Sequence, residues 1–220
     1  KKLKKTTKKR ITLITYHFVY MFINNKFILA SSSKSRFKIL KKNNLFFDKI
    51  KPTCDEEFIK EKIKKKPPKK IAQILSKEKA KSVSIQKPNN IVVGCDTVIV
   101  FNNKIINKAK NLKEAKAKIL KLSGKKHKIV SSACAYINNK KIWEKHQSTI
   151  VEIRKLNKKE VDKYLKVCGK EVLESAGCYQ IEKLGPQIIK NIKGDFFNVM
   201  GFPLFPFLNF LKKFNIEKQR

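Results

Sequence analysis

Three short stretches hold residue types that their surroundings do not call for. The first is FILASSSKSR, residues 27–36. An apolar run, Phe27-Ile28-Leu29-Ala30, stops at Ser31, Ser32 and Ser33, and Lys34 and Arg36 follow. Phe37, Ile39 and Leu40 then continue at helical spacing. A strand that turns into a helix here aims backbone N–H groups, the positive end of the helix dipole and several hydroxyls at one point. That is the chemistry of an anion site, with Lys34 and Arg36 adding charge. Serine at a helix start is also an ordinary N-cap, and both readings stand on this stretch.

The second is Asp96 inside IVVGCDTVIV, residues 91–100. An ionised carboxylate in such a strand costs several kcal/mol unless it is paired or sits at an exposed strand end. Acids held in such surroundings mark functional sites, although an Asp can also cap a turn. The third is Asp55-Glu56-Glu57, an acidic cluster in a basic chain. It can cap the following helix, or hold a divalent cation through its carboxylate oxygens. Lys79 and Lys108 do not stand out from the other lysines, and His127, beside a predicted strand, reads as structural. Neither GxxxxGK[ST] nor GxGxxG occurs, which excludes Walker and Rossmann sites.

These residues need elements to carry them. Strand 27–31 leads to helix 34–43, and residues 45–50 read as a strand. Helices are predicted near 56–65 and 69–84, broken at Pro67-Pro68. Strand 91–100 is followed by a turn at Asn102-Asn103 and a second short strand. Residues 111–124 form an amphipathic helix stopped by Gly124. Residues 127–154 read as two strands around an Asn-Asn turn, 156–169 as a helix, and the chain closes on an apolar helix. The alternation predicts an α/β fold with one antiparallel excursion. No internal repeat or long linker is evident.

Composition sets the bounds. The 220 residues suffice for one domain with a sizeable core, and 41% hydrophobic residues argue against wholesale disorder. The net charge of +36 would suit a nucleic-acid binder. However, 49 of the 53 basic residues are Lys and they are spread along the chain. With abundant Asn, Ile and Phe, this is what A+T-rich codons produce. Nucleic-acid binding is therefore not read as the main role, whereas a small polyanion such as a nucleotide suits the charge. Cys54, Cys95, Cys134, Cys168 and Cys178 are odd in number, widely spaced and never CxxC. That argues against a disulfide framework or zinc site and fits a reducing cytoplasm best.

Residues 1–25 read as an N-terminal extension outside the fold, and 26–215 as the domain. The extension has a basic tract and a semi-apolar run of 13 residues, ITLITYHFVYMFI, too short and too polar to span a membrane. No small-x-small cleavage site follows it. Met21 is expected to be the natural start; finding residues 1–20 in the native protein by N-terminal sequencing would refute this.

Seven motifs in one order resemble the Maf family of nucleoside triphosphate pyrophosphatases, across roughly residues 26–213. They are Ala30-Ser31-Ser32-Ser33-Lys34-Ser35-Arg36, Asp55-Glu56, Lys79-Ala80, Gly94-Cys95-Asp96-Thr97, Lys108-Ala109, Leu122-Ser123-Gly124, and a last signature of several parts. That signature is Ala176-Gly177-Cys178-Tyr179-Gln180-Ile181, Gly194-Asp195 and Gly201-Phe202-Pro203. The resemblance implies an ITPase-like α/β fold, with a mixed twisted sheet and two lobes around a central cleft, usually in a homodimer. It implies hydrolysis of a nucleoside triphosphate to the monophosphate and pyrophosphate with Mg²⁺ or Mn²⁺, and house-cleaning of non-canonical nucleotides. By that resemblance Ser31, Ser33, Arg36, Lys79 and Lys108 bind the triphosphate. Asp96 is the general base, and Glu56 with Asp96 holds the metal.

Ser35, Thr97 and Glu182 fall at the positions tied to base selectivity. The family often has Arg-Arg where this chain has Ser35-Arg36, and Lys-Pro where it has Lys108-Ala109. Cys95 replaces Ala, a small apolar change. Thr97 matches the dTTP/UTP-type branch, whereas Glu182 matches the 7-methyl-GTP branch. The other reading is a basic nucleic-acid-binding or cell-division regulatory protein that keeps the fold without turnover. The presence of every acidic and basic residue assigned to the triphosphate and the metal argues against it.

Overall fold

The computed structural model describes residues 26–218. The extension and the Met21 start fall outside them. β1 (Phe27–Ala30) runs into α1 (Lys34–Lys42), whose N-cap is Ser33. β2 (Phe47–Ile50) follows, then α2 (Glu56–Ile63), capped by Asp55 through its bond from the Phe58 N–H. α3 (Pro68–Ser84) starts at the second proline of the break, where the missing N–H would have had no helical partner. β3 (Ile91–Phe101) and β4 (Lys104–Ile106) are joined by Asn102-Asn103, both with positive φ (49° and 58°). Such turns match the twist of a hairpin, and Asn tolerates them. α4 (Leu112–Leu122) is capped by Asn111.

β5 (Lys126–Ile137) and β6 (Lys140–Ile153) turn on Asn138-Asn139 in the same way (φ 49° and 58°). α5 (Lys158–Cys168) opens with a capping box of Asn157 and Glu160, and a 3₁₀ turn spans Gly169–Glu174. α6 (Gly185–Ile188), β7 (Ile189–Lys193), α7 (Phe196–Val199) and α8 (Leu204–Lys218) complete the order.

The strands form one mixed sheet in the order β2-β1-β3-β5-β6-β7, with β4 beside β3. β1 is parallel to β2 and β3, and the remaining pairs are antiparallel. The antiparallel part is thus larger than the single excursion expected. The long β5–β6 hairpin extends it, and β7 adds an edge strand. IKNIK, with only Ile189 fully buried, carries no alternation that would announce a strand.

Two apolar cores share the long strands. Phe27, Leu29, Ile39, Leu40, Val93, Cys95, Phe202 and Phe207 pack into one. Ile99, Ile119, Leu122, Ile129, Ile153, Val161 and Leu165 pack into the other. Each such Leu, Ile or Phe contributes ~1.5–3 kcal/mol on burial. The cleft opens where β3 passes from the first core to the second, at Asp96, Thr97, Val98 and Ile99. This is the two-lobed α/β architecture expected. α3 crosses β3 at very close range: a Cβ on Gly94 would lie 2.1 Å from the Ser76 carbonyl oxygen and 2.6 Å from the Ala80 nitrogen.

Candidate active site

The cleft measures about 1,530 Å³ and is lined by Ser31, Ser33, Ser35, Arg36, Glu56, Lys79, Asp96, Thr97, Lys108 and Glu182 among others. These ten, the residues assigned catalytic, binding, selectivity or metal roles from the sequence, therefore reach one cavity, whereas Asp55 of the acidic cluster and His127 do not line it. At its centre lies a chain of alternating charges. Lys79 Nζ is 2.6 Å from Asp96 Oδ1 and 2.8 Å from Glu56 Oε2, and Lys60 Nζ is 2.8 Å from Glu56 Oε1. Lys79 and Asp96 are buried, at 7% and 6% exposure. Asp96 thus resolves the energetic puzzle of its strand by pairing, since a buried charge needs a partner. Burial disfavours the charge on Glu56, but the Lys79 charge and hydrogen bonds from Lys60 and Lys79 outweigh it and hold its pKa at about 2.

At the β1–α1 junction the two readings of the serines merge. Ser33 Oγ accepts from the Arg36 N–H at 3.3 Å as the N-cap, and Ser31 Oγ accepts from the Ser33 N–H at 3.2 Å. Both line the cleft while closing the helix start. Arg36 does more than face an anion. Its Nε donates to the Gly201 carbonyl (2.9 Å), Nη1 to Ser31 Oγ (3.3 Å) and Nη2 to Thr97 Oγ1 (3.0 Å). Of the five guanidinium donors, three hold protein together across the β1–α1 turn, β3 and the segment after α7. The Gly201 carbonyl also accepts from Thr97 Oγ1 (3.1 Å) and Cys95 Sγ (3.3 Å). Asp195, from the Gly-Asp motif, caps α7, and the buried Asn198 donates to Ile129 O and Thr149 Oγ1. These bonds fix the Gly201 segment against β5 and β6.

Ser35 Oγ donates to Glu182 Oε1 at 3.2 Å, joining two of the three predicted selectivity positions. Thr97, the third, is held between Arg36, Ser131 and Gly201. Lys108 is exposed at the rim and makes no ion pair among the described residues, although its charge acts on Glu174. Among the described residues no group of three or more His, Cys, Asp or Glu is arranged to hold a metal ion by itself.

Sequence reasoning missed Lys60, although its i,i+4 spacing from Glu56 on a helix was a usable signal. It also missed why Gly94 must be glycine, which only the α3 crossing reveals. His127, read from the sequence as structural, lies within β5, is buried, and is bonded to Tyr179 (Nε2 to Oη, 2.6 Å).

The sheet and the cleft between its two cores, with the buried Lys79–Asp96 pair lining it, define an α/β protein with a charged cavity between two lobes. The family can be named more narrowly. The model described as Maf-like protein matches residues 26–214, and the chain belongs to that family. A 7-methyl-GTP pyrophosphatase of Bartonella quintana is 39% identical over 189 residues, covering 86% of this chain and 96% of that protein. A nucleoside triphosphate pyrophosphatase of Caulobacter vibrioides is 34% identical over 186 residues, covering 84% and 93%. A dTTP/UTP pyrophosphatase of Aquifex aeolicus is 35% identical over 189 residues, covering 86% and 95%.

Proposed function

We propose that this chain hydrolyses a nucleoside triphosphate to the monophosphate and pyrophosphate in the cleft around Asp96. The observation that carries the reading is Lys79, buried between Glu56 and Asp96 in a cavity entered by a serine-rich helix start. The relatives' names support a nucleotide pyrophosphatase over a nucleic-acid-binding or regulatory role. In-line attack on phosphorus asks for neutralised charge and a positioned water. Ser31, Ser33, Arg36, Lys79 and Lys108 supply donors and positive charge for the triphosphate. Asp96 takes its bond from Lys79 on Oδ1, which leaves Oδ2 to accept a proton from water. The water oxygen attacks the α-phosphorus, the bond to the bridging oxygen breaks, and pyrophosphate leaves.

Mg²⁺ or Mn²⁺ is part of this proposal. Glu56 and Asp96 offer hard carboxylate oxygens on either side of Lys79, and Mg²⁺ is commonly held by one or two carboxylates plus substrate phosphates. That fits a site without a complete protein cage. When bound, the ion would neutralise phosphate charge.

For the base, Glu182 favours a guanine-type edge. An ionised Glu only accepts, and guanine offers N1–H and the 2-amino group side by side. Uracil or thymine offers one donor between two carbonyls, which a carboxylate repels. A 7-methylated guanine adds positive charge.

No helix among the described residues is long and apolar enough to cross a membrane. A cytoplasmic homodimer is part of the proposal by family resemblance. The test is release of pyrophosphate, with ¹⁸O from labelled water in the monophosphate, across UTP, dTTP, GTP and 7-methyl-GTP with each metal. Release of inorganic phosphate instead, or label in the pyrophosphate, overturns it.

A further inference from the structure

Residues 175–185 carry Glu182 into the cleft, yet they form no long helix or strand. The segment is wound tightly on itself. Cys178 N–H donates to Ser175 O at 3.1 Å, and the N–H groups of Lys183 and Gly185 both donate to Gln180 O, at 3.1 and 2.9 Å. Cys178 has φ 58°, a conformation a non-glycine residue rarely adopts. A Cβ on Gly177 would meet the Tyr179 ring at 2.6 Å, and one on Gly185 would meet Gln180 O at 2.5 Å. The turns thus close around Tyr179 and Gln180.

Tyr179 ties this segment to the sheet. Its ring packs into the second core at 3% exposure, and its hydroxyl lies 2.6 Å from Nε2 of His127 on β5, itself 3% exposed. His127 Nδ1 is buried with no hydrogen-bond partner among the described residues. If Nε2 carries the proton, it donates to Tyr179 and the phenol proton needs another acceptor. If Nδ1 carries it, the phenol donates to Nε2 and the Nδ1–H is orphaned. A buried bond with an unpaired atom left over adds little net stability, and a fully apolar pair of the same shape would serve the core about as well. What the bond adds is direction: it fixes one point of Tyr179, three residues before Glu182.

We propose that His127 is a positioning residue for base selection, holding the Tyr179 hydroxyl so that residues 177–185 present Glu182 toward Ser35 and the bound base. The proposal rests on reading the cleft as a nucleoside triphosphate site. Asp96, Lys79 and Glu56 stand on other elements, so the chemical step does not depend on this tie.

The experiment measures kcat and KM for GTP and UTP, and the Ki of inorganic tripolyphosphate, which has no base. Wild type is compared with His127→Phe, Tyr179→Phe, His127→Gln and the double Phe variant. His127→Phe and Tyr179→Phe are each expected to shrink the GTP-to-UTP ratio of kcat/KM by ~5–10-fold, mainly through KM. The kcat for GTP and the tripolyphosphate Ki should stay within about twofold. The double variant should be no worse than either single one, since both remove the same bond. His127→Gln, whose amide can still bond a hydroxyl, should recover part of the ratio. Should His127→Phe fail to fold, Tyr179→Phe carries the test, because it loses one oxygen and keeps the ring. An active wild type whose variants keep the ratio, or lose both nucleotides and tripolyphosphate alike, overturns the positioning role alone. A wild type that hydrolyses neither GTP nor UTP nor any other nucleoside triphosphate overturns the underlying reading and this inference with it.

Discussion

Replacing Gly94 by alanine should damage the site by moving a helix. The new methyl would lie 2.1 Å from Ser76 O, 2.6 Å from Ala80 N and 2.9 Å from Ala80 Cβ. All three atoms belong to α3, and two of them are backbone, so no side chain can rotate away. Ordinary contact begins near 3.4 Å, so α3 and β3 must separate by roughly an ångström at this crossing. Overpacking of this kind costs ~1–3 kcal/mol. Lys79 rides on α3 and Asp96 on β3, and their 2.6 Å bond spans the same contact. Misplacing a catalytic group by ~1 Å can cost ~10²-fold in rate. The expected result is a stability loss of ~1–3 kcal/mol by urea denaturation, with kcat for the best nucleotide down by ~10²-fold. A folded Gly94→Ala protein with unchanged midpoint and unchanged kcat would refute the link between the α3–β3 contact and the Lys79–Asp96 pair.

Arg36→Ala should lose ~2–4 kcal/mol of stability, because three bonds to Ser31, Thr97 and Gly201 vanish from a buried place. Its kcat/KM should fall alike for a purine and a pyrimidine nucleotide; a loss confined to one would place Arg36 at the base. Glu182→Gln should raise the UTP-to-GTP ratio of kcat/KM by ~10-fold, or ~1.4 kcal/mol, since an amide can also donate. An unchanged ratio would show that Glu182 does not meet the base. Burial holds the His127 pKa down at about 4, from an ordinary 6.5. Between these values the unfolded chain binds a proton that the folded chain refuses, so stability falls as pH falls. The loss from His127 is ~1.5 kcal/mol between about pH 6.5 and pH 5, above the range where Glu56 titrates. Because burial also holds the His146 pKa down in both proteins, the loss is read as the difference between wild type and His127→Phe in urea unfolding at the two pH values.

Much of the frame was legible because local chemistry dictated it. Ser33, Asp55, Asn111 and Asn157 each cap the helix that their position announces. The two Asn-Asn turns adopt the positive φ that closes hairpins, and Pro67-Pro68 separates two helices. Asp96 was visible because an acid among β-branched residues needs a reason. Lys79 was not visible by its own chemistry, since one lysine among 49 stands out only through the Lys79-Ala80 motif of the family resemblance; burial between two carboxylates then gives the physical reason for it. The double duty of Arg36, the approach at Gly94 and the His127–Tyr179 bond join residues far apart in sequence, and no periodicity encodes them. β7 escaped notice because an edge strand with one buried side needs little apolar pattern.

The most direct test of the proposed mechanism is kcat for Asp96→Asn, measured beside nucleotide affinity by calorimetry. The amide keeps the shape of the side chain but cannot take a proton from water. A positioned base contributes ~10²–10⁴-fold, so kcat should fall by at least ~10²-fold while Kd for the nucleotide changes by only a few-fold. A variant that binds the nucleotide and keeps more than about a tenth of the wild-type kcat would contradict the role of Asp96 as the base.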